Sequence, residues 1–180
     1  ILRCLVGSEM CIRDSSDTLY FRSPTATLFD QDTAKRLAEQ AGIKDAEAFA
    51  MEVLRHGSAI GTMPVQDIVR NDIKEFDFGE HRITVSQINI MDRQQALERL
   101  GELQKALNEF RKQEGYDLSL LMVTDILGEA TDLLAAGSPQ TQLVHAFGEA
   151  AVEGCYHLPG VLSRKKQIIP PLTEAFRKQD

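Results

Sequence analysis

The stretch that most constrains this chain runs from Asp92 to Ile126. Leu97, Leu100, Leu103, Leu107 and Phe110 recur at intervals of 3, 3, 4 and 3 residues. That spacing lays one apolar stripe along an amphipathic helix predicted over Asp92–Gln113, which Gly115 ends. Leu118–Ile126, LSLLMVTDI, follows almost at once and is nearly continuously apolar. Such a run suits a strand covered on both faces. A strand that buries two faces, beside a helix that buries one, requires a layered α/β domain.

The rest of the chain fits that plan. Helical patterns are expected over Asp30–Ala41 and Asp45–Arg55, broken at Gly42. His56–Pro64 holds two Gly, a Ser and a Pro and is the best linker candidate, and Pro64 can open a short helix over Val65–Arg70. Arg82–Asn89 alternates as a strand should, and Thr131–Ala136 can form a shorter one. Ser138 is placed to cap a helix that begins at Pro139, with Leu143, Val144 and Phe147 on one face. Cys155–Leu162 is strand-like, and Ser163 starts a basic helix that runs to about Phe176. The expected fold class is α/β, with a mixed or parallel sheet flanked by helices.

Composition excludes several functions. Of 180 residues 43% are hydrophobic and 26% charged, a globular balance rather than a disordered one. The net charge of −7 argues against a broad phosphate-backbone binder. No Trp and 6% aromatic residues argue against a base-stacking surface. No apolar run reaches the roughly 18 residues of a membrane span, so neither nucleic acid nor membrane is an expected partner. Three Cys without zinc spacing point to a reducing, cytoplasmic setting. Residues 1–15, ILRCLVGSEMCIRDS, have no regular period. They read as translated adapter sequence rather than protein, or as a short strand from Ile1 to Val6 and a turn.

The chemistry concentrates at Ser163–Gln167, Ser-Arg-Lys-Lys-Gln. A Ser at a helix start leaves backbone N–H groups free, and the helix dipole favours an anion there. Arg164 and Lys165 stand at the end of a helix where cations are disfavoured, unless a multiply charged anion docks between them. Two readings stand, a solvated basic turn and a phosphate clamp.

Leu158–Leu172, LPGVLSRKKQIIPPL, resembles the C-terminal motif of the family II inorganic pyrophosphatases, the manganese-dependent enzymes of the DHH phosphoesterase superfamily. Ser16–Thr25 (SDTLYFRSPT) resembles a segment late in that family's metal-binding domain. Asp72–Phe76 (DIKEF) resembles the start of its C-terminal domain, and Leu120–Leu127 (LLMVTDIL) a core strand. The resemblance runs from Ser16 to Phe176 in the family's order. It implies an α/β, C-terminal substrate-binding domain at 64–180, a hinge at 57–63, and at 16–56 the helical tail of an N-terminal α/β metal-binding domain.

The resemblance implies that Asp17 is a manganese ligand, with Co2+ or Mg2+ as possible replacements; by itself Asp17 also reads as a helix N-cap. It implies that Lys74, otherwise an ordinary surface lysine, reaches the substrate phosphate. Arg164 and Lys165 would clamp pyrophosphate, with Lys166 a supporting charge. The implied reaction is hydrolysis of pyrophosphate to two phosphates by a metal-activated hydroxide, the basic residues stabilising charge on the phosphoryl oxygens. The resemblance also implies a parent protein that pairs as a homodimer through its N-terminal domain.

The four histidines depart from that pattern. His56, His81, His145 and His157 are isolated, with neither the His-x-x-x-Asp-x-Asp spacing nor the adjacent His pair a binuclear site needs. One carboxylate cannot hold two manganese ions. The chain is therefore expected to be a C-terminal fragment, monomeric and inactive alone. The alternatives are an exopolyphosphatase of the same superfamily and a non-catalytic phosphate-binding domain.

Overall fold

The structure, a computed structural model, describes residues 27–57, 60–152 and 154–177. They divide into two units, with the boundary between Ser58 and Ala59. The first unit holds α1 (Leu28–Ala41) and α2 (Ala46–Gly57). Helix α1 starts two residues before the expected Asp30 because Thr27 and Asp30 cap each other. Thr27 Oγ1 accepts from the Asp30 N–H at 3.3 Å, and Asp30 Oδ2 accepts from the Thr27 N–H at 2.7 Å. Asp45 Oδ1 accepts from the Ala48 N–H at 2.9 Å and opens α2 in the same way.

The second unit runs in chain order through α3 (Val65–Val69), β1 (Lys74–Phe78), β2 (His81–Ile90), α4 (Arg93–Glu98) and α5 (Leu100–Glu114). It continues with β3 (Leu118–Asp125), β4 (Ala130–Gly137), α6 (Gln140–Phe147) and β5 (Cys155–Pro159). A π-helical turn (Arg164–Ile168) then leads into α7 (Ile169–Arg177). The strands lie in the order β1-β2-β3-β4-β5, and only β2 and β3 are parallel. That pair is the one joined by a helical crossover, α4 and α5, while the others are antiparallel neighbours. The sheet is therefore mixed and flanked by helices, as the sequence implies.

Period 2 along the strands sorts the core into two layers. Ile88, Ile90, Leu121, Val123, Leu134 and Ala136 pack with α3 and with Leu103, Leu107 and Phe110 of α5. Ile83, Val85, Leu120, Met122 and Leu133 pack on the other face with Leu143 of α6 and Leu172 of α7. Strand β3 is buried from Leu118 to Thr124, which is why its sequence shows no alternation.

Four local expectations are corrected. The helix predicted over Asp92–Gln113 is two helices, with a break at Arg99. There the guanidinium leaves the helix surface to donate to the carbonyls of Ile60 and Met63, the latter at 2.9 Å. Ser138 is not an N-cap: Pro139, extended at φ −88 and ψ 136, precedes the first helical residue, Gln140. The last strand stops at Pro159 rather than Leu162, because Gly160 adopts φ +74 and turns the chain. Lys74–Phe78, to which the pattern assigns no element, is the edge strand of a β1–β2 hairpin turning at Gly79 and Glu80.

Candidate functional site

Side chains fix the loop between β5 and the π-helical turn, group by group. Gln167 Oε1 accepts from the N–H groups of Leu162 and Ser163 at 3.0 and 2.9 Å, and its Nε2 donates to the Gly160 carbonyl at 2.7 Å. Thr131 Oγ1 donates to the Val161 carbonyl at 2.6 Å, and Gln87 Nε2 to that of Leu162 at 3.3 Å. A loop whose backbone polar groups are met this way holds one conformation. Ser163 is buried and caps the turn, Oγ accepting from the Lys166 N–H at 3.4 Å. The Ile169 N–H bonds the Arg164 carbonyl, the i to i+5 spacing of a π turn. Such turns concentrate at functional sites.

Arg164 is the first residue of that turn, and it folds back across the sheet. Its side chain is 13% exposed. Nη1 donates to the carbonyl of Val85 at 3.0 Å and to that of Asp72, while Nη2 donates to Asp72 Oδ2 at 3.0 Å. Asp72 is one of two non-glycine residues with positive φ among those described, at φ +42. Its other carboxylate oxygen, Oδ1, lies 4.0 Å from Nζ of Lys74, the first residue of β1. Lys74 and Arg164 are thus brought together around one carboxylate. Lys165 is exposed on the same turn. Asp17 lies outside the described residues.

A pocket of about 840 Å³, lined among others by His145, Lys166, Gln167 and Glu174, borders the turn but takes in none of Lys74, Arg164 or Lys165. Among the described residues no group of three or more His, Cys, Asp or Glu side chains could hold a metal ion. None of their helices is long and apolar enough to cross a membrane.

A second polar cluster has no sequence signature. Asp132, 5% exposed at its side chain, accepts from Arg93 Nε at 2.6 Å and Nη2 at 2.9 Å, and lies 2.7 Å from His157 Nδ1. Burial alone would raise its pKa, but the hydrogen bonds and charges of Arg93 and His157 hold it below the ordinary carboxylate value. Cys155, two residues before His157, is buried, and its thiol is pushed up to about 11 by burial and then by the Asp132 charge. The cluster could be located only from the β4–β5 register, which sets Asp132 opposite His157.

Residues 51–175 match the model of the DHHA2 domain. A manganese-dependent inorganic pyrophosphatase from Methanocaldococcus jannaschii is 38% identical over 161 residues, covering 89% of this chain and 52% of the relative. A Clostridium acetobutylicum protein assigned as a manganese-dependent inorganic pyrophosphatase is 38% identical over 167 residues, covering 93% and 54%. Among solved structures, a Methanococcus jannaschii protein assigned to the family II inorganic pyrophosphatases superposes with a TM-score of 0.83 at 37% identity, over 91% of this chain and 53% of that one. The chain spans about half the length of these relatives. With a family model matched over most of its length and the same fold at high identity, the chain belongs to the DHHA2 domain family.

Proposed function

We propose that this chain is the substrate-binding half of a manganese-dependent inorganic pyrophosphatase, and that Lys74, Arg164 and Lys165 receive the pyrophosphate. The observation that carries this reading is the convergence of Lys74 and Arg164 at Asp72, 92 residues from Arg164 in sequence. It sits in a domain that superposes on a relative assigned to that activity.

Arg164 has five N–H groups. Two on Nη1 and one on Nη2 are engaged by Val85 and Asp72, leaving Nε–H and the second Nη2–H on one edge. Two parallel donors on a planar edge match two oxygens of a phosphoryl group, and Lys74 and Lys165 add point charges beside it. Fixed cations of this kind stabilise charge that builds on the phosphoryl oxygens during phosphoanhydride cleavage. The role argued for the described residues is that of these cations. Asp17 is proposed as a carboxylate that the chain contributes to manganese.

The test is Arg164→Ala in a full-length protein containing this segment. A higher KM and a lower kcat on pyrophosphate are expected, with kcat/KM down at least about tenfold, the scale of a lost charge-assisted hydrogen bond. Unchanged kinetics would remove Arg164 from the clamp. Faster turnover of tripolyphosphate than of pyrophosphate would instead favour a polyphosphatase.

A further inference from the structure

We infer that Asp72 is a positioning residue, which holds Arg164 with its Nε/Nη2 edge turned toward the phosphoryl ligand; the inference rests on the clamp reading above.

Asp72 contacts the guanidinium twice, from its main chain and from its carboxylate. Its carbonyl accepts from Nη1 and its Oδ2 from Nη2 at 3.0 Å, so the two nitrogens at the far end of Arg164 are gripped end-on. Val85 in β2 takes the remaining Nη1–H at 3.0 Å. No rotation about the terminal bonds of Arg164 keeps all three contacts, so the guanidinium plane is set by β2 and by the residue two before β1. Long side chains lose about 1.5–2 kcal/mol of rotamer freedom when ordered, and here that ordering precedes any ligand.

The backbone at Asp72 makes the double contact possible. At φ +42 it lies in the left-handed region, which ordinary residues enter at a cost and Asp tolerates better than most. Strain of this kind persists only where the surroundings over-determine it. Asp72 also keeps Lys74 within reach, since Oδ1 lies 4.0 Å from its Nζ. With both side chains more than half exposed that contact is weak, and Lys74 can leave it for a phosphate. Arg164, 13% exposed and tied three ways, cannot. The carboxylate therefore anchors one cation and lends the other.

An anion beside an anion-binding site also repels the ligand. If Asp72 only competed with phosphate, removing its charge would tighten binding. If it positions Arg164, removing its carboxylate weakens binding, and an uncharged acceptor of the same shape restores it. The two roles differ in sign.

The experiment titrates the isotope-labelled 180-residue chain with inorganic pyrophosphate, following the Arg164 Nε–H resonance and the dissociation constant. Asp72→Gly relaxes the backbone at φ +42 and keeps the carbonyl, so it removes only the carboxylate. We expect it to weaken binding about five- to tenfold, less than a buried charge-assisted hydrogen bond because the Asp72 side chain is more than half exposed. Asp72→Asn should return affinity to the wild-type value or better. In an Arg164→Ala background Asp72→Gly should weaken binding no further, because the positioning effect passes through Arg164 and only the repulsion of the ligand is left to remove. Unchanged or tighter binding by Asp72→Gly, alongside weakened binding by Arg164→Ala, would overturn the positioning role and leave the clamp reading intact. Arg164→Ala binding pyrophosphate like wild type, or no response of the Arg164 resonance in the wild-type chain, would overturn both.

Discussion

At the scale of single residues, Asp132 shows how this domain handles buried charge. Burial would favour its neutral form, yet hydrogen bonds from Arg93 and His157 outweigh that and hold its pKa below the ordinary value. A carboxylate whose folded pKa is depressed adds stability that is complete above its unfolded value, near 4, and is lost as the pH falls through the folded one. Arg93→Ala should therefore cost about 2 kcal/mol at pH 7, below the usual range for breaking a buried pair because Arg93 is 38% exposed. The difference from wild type should shrink below about pH 4, as Asp132 takes up a proton. Urea unfolding at pH 7 and at pH 3 measures both, and a cost that does not vary with pH would show that Arg93 acts through packing alone. Of the residues of the proposed clamp, Arg164 and Lys165 stand in the contiguous motif Ser163–Gln167, whereas Lys74 enters only through the resemblance at Asp72–Phe76. Nothing in DIKEF announces that the Asp72 carboxylate meets an arginine 92 positions later. Arg93, Asp132 and His157 carry no local spacing at all.

Among the elements, the end of β4 leaves no room at its last residue. Gly137 has φ +109, and a Cβ there would lie 2.1 Å from the Asp117 carbonyl oxygen and 2.6 Å from Arg111 Cδ. Relief would have to come from backbone, because Ser138 N–H already bonds that same carbonyl at 2.9 Å. Gly137→Ala should destabilise the protein by about 3 kcal/mol or more, clash and strained φ together. A urea midpoint within experimental error of wild type would contradict that. The elements that could be read in advance are those whose burial is uniform. Strand β3 is covered on both faces and reads as an apolar run, and α5 buries Leu103, Leu107 and Phe110 as its stripe requires. Strand β1 escaped because an edge strand needs little apolar sequence. Its Phe76 and Phe78 are only half-buried, and Phe78 stacks on Phe176 with ring centroids 5.1 Å apart, a partner almost a hundred residues away. The break at Arg99 escaped for a related reason. The 3–4 spacing continues through it, and the carbonyls of Ile60 and Met63 that Arg99 meets there are some forty residues earlier in the chain.

For the whole molecule, the described residues that form the two cores of the second unit lie between Ile60 and Phe176. Ile60 is 1% exposed, and the carbonyls of Ile60 and Met63 both accept from Arg99. The segment just before α3 therefore belongs to the packing of this unit. Residues 60–180 should fold as an independent domain with a single cooperative thermal transition. At about 0.7 kcal/mol per residue its unfolding enthalpy should be about 80 kcal/mol. Starting instead at Pro64 removes the Ile60 side chain and both Arg99 acceptors. A buried Ile is worth about 2–5 kcal/mol, and Arg99, only 19% exposed at its side chain, would keep its ion pair with Glu102 but lose both carbonyls. The shorter chain should melt well below the longer one, or fail to fold. Calorimetry on the two chains decides the matter. Equal transitions would show that residues 60–63 merely lead into the domain, and no transition in either would show that 60–180 depends on the chain before it. A cooperative 60–180 would also permit the pyrophosphate titration on this unit alone, so that the cations of Lys74, Arg164 and Lys165 could be weighed apart from any metal.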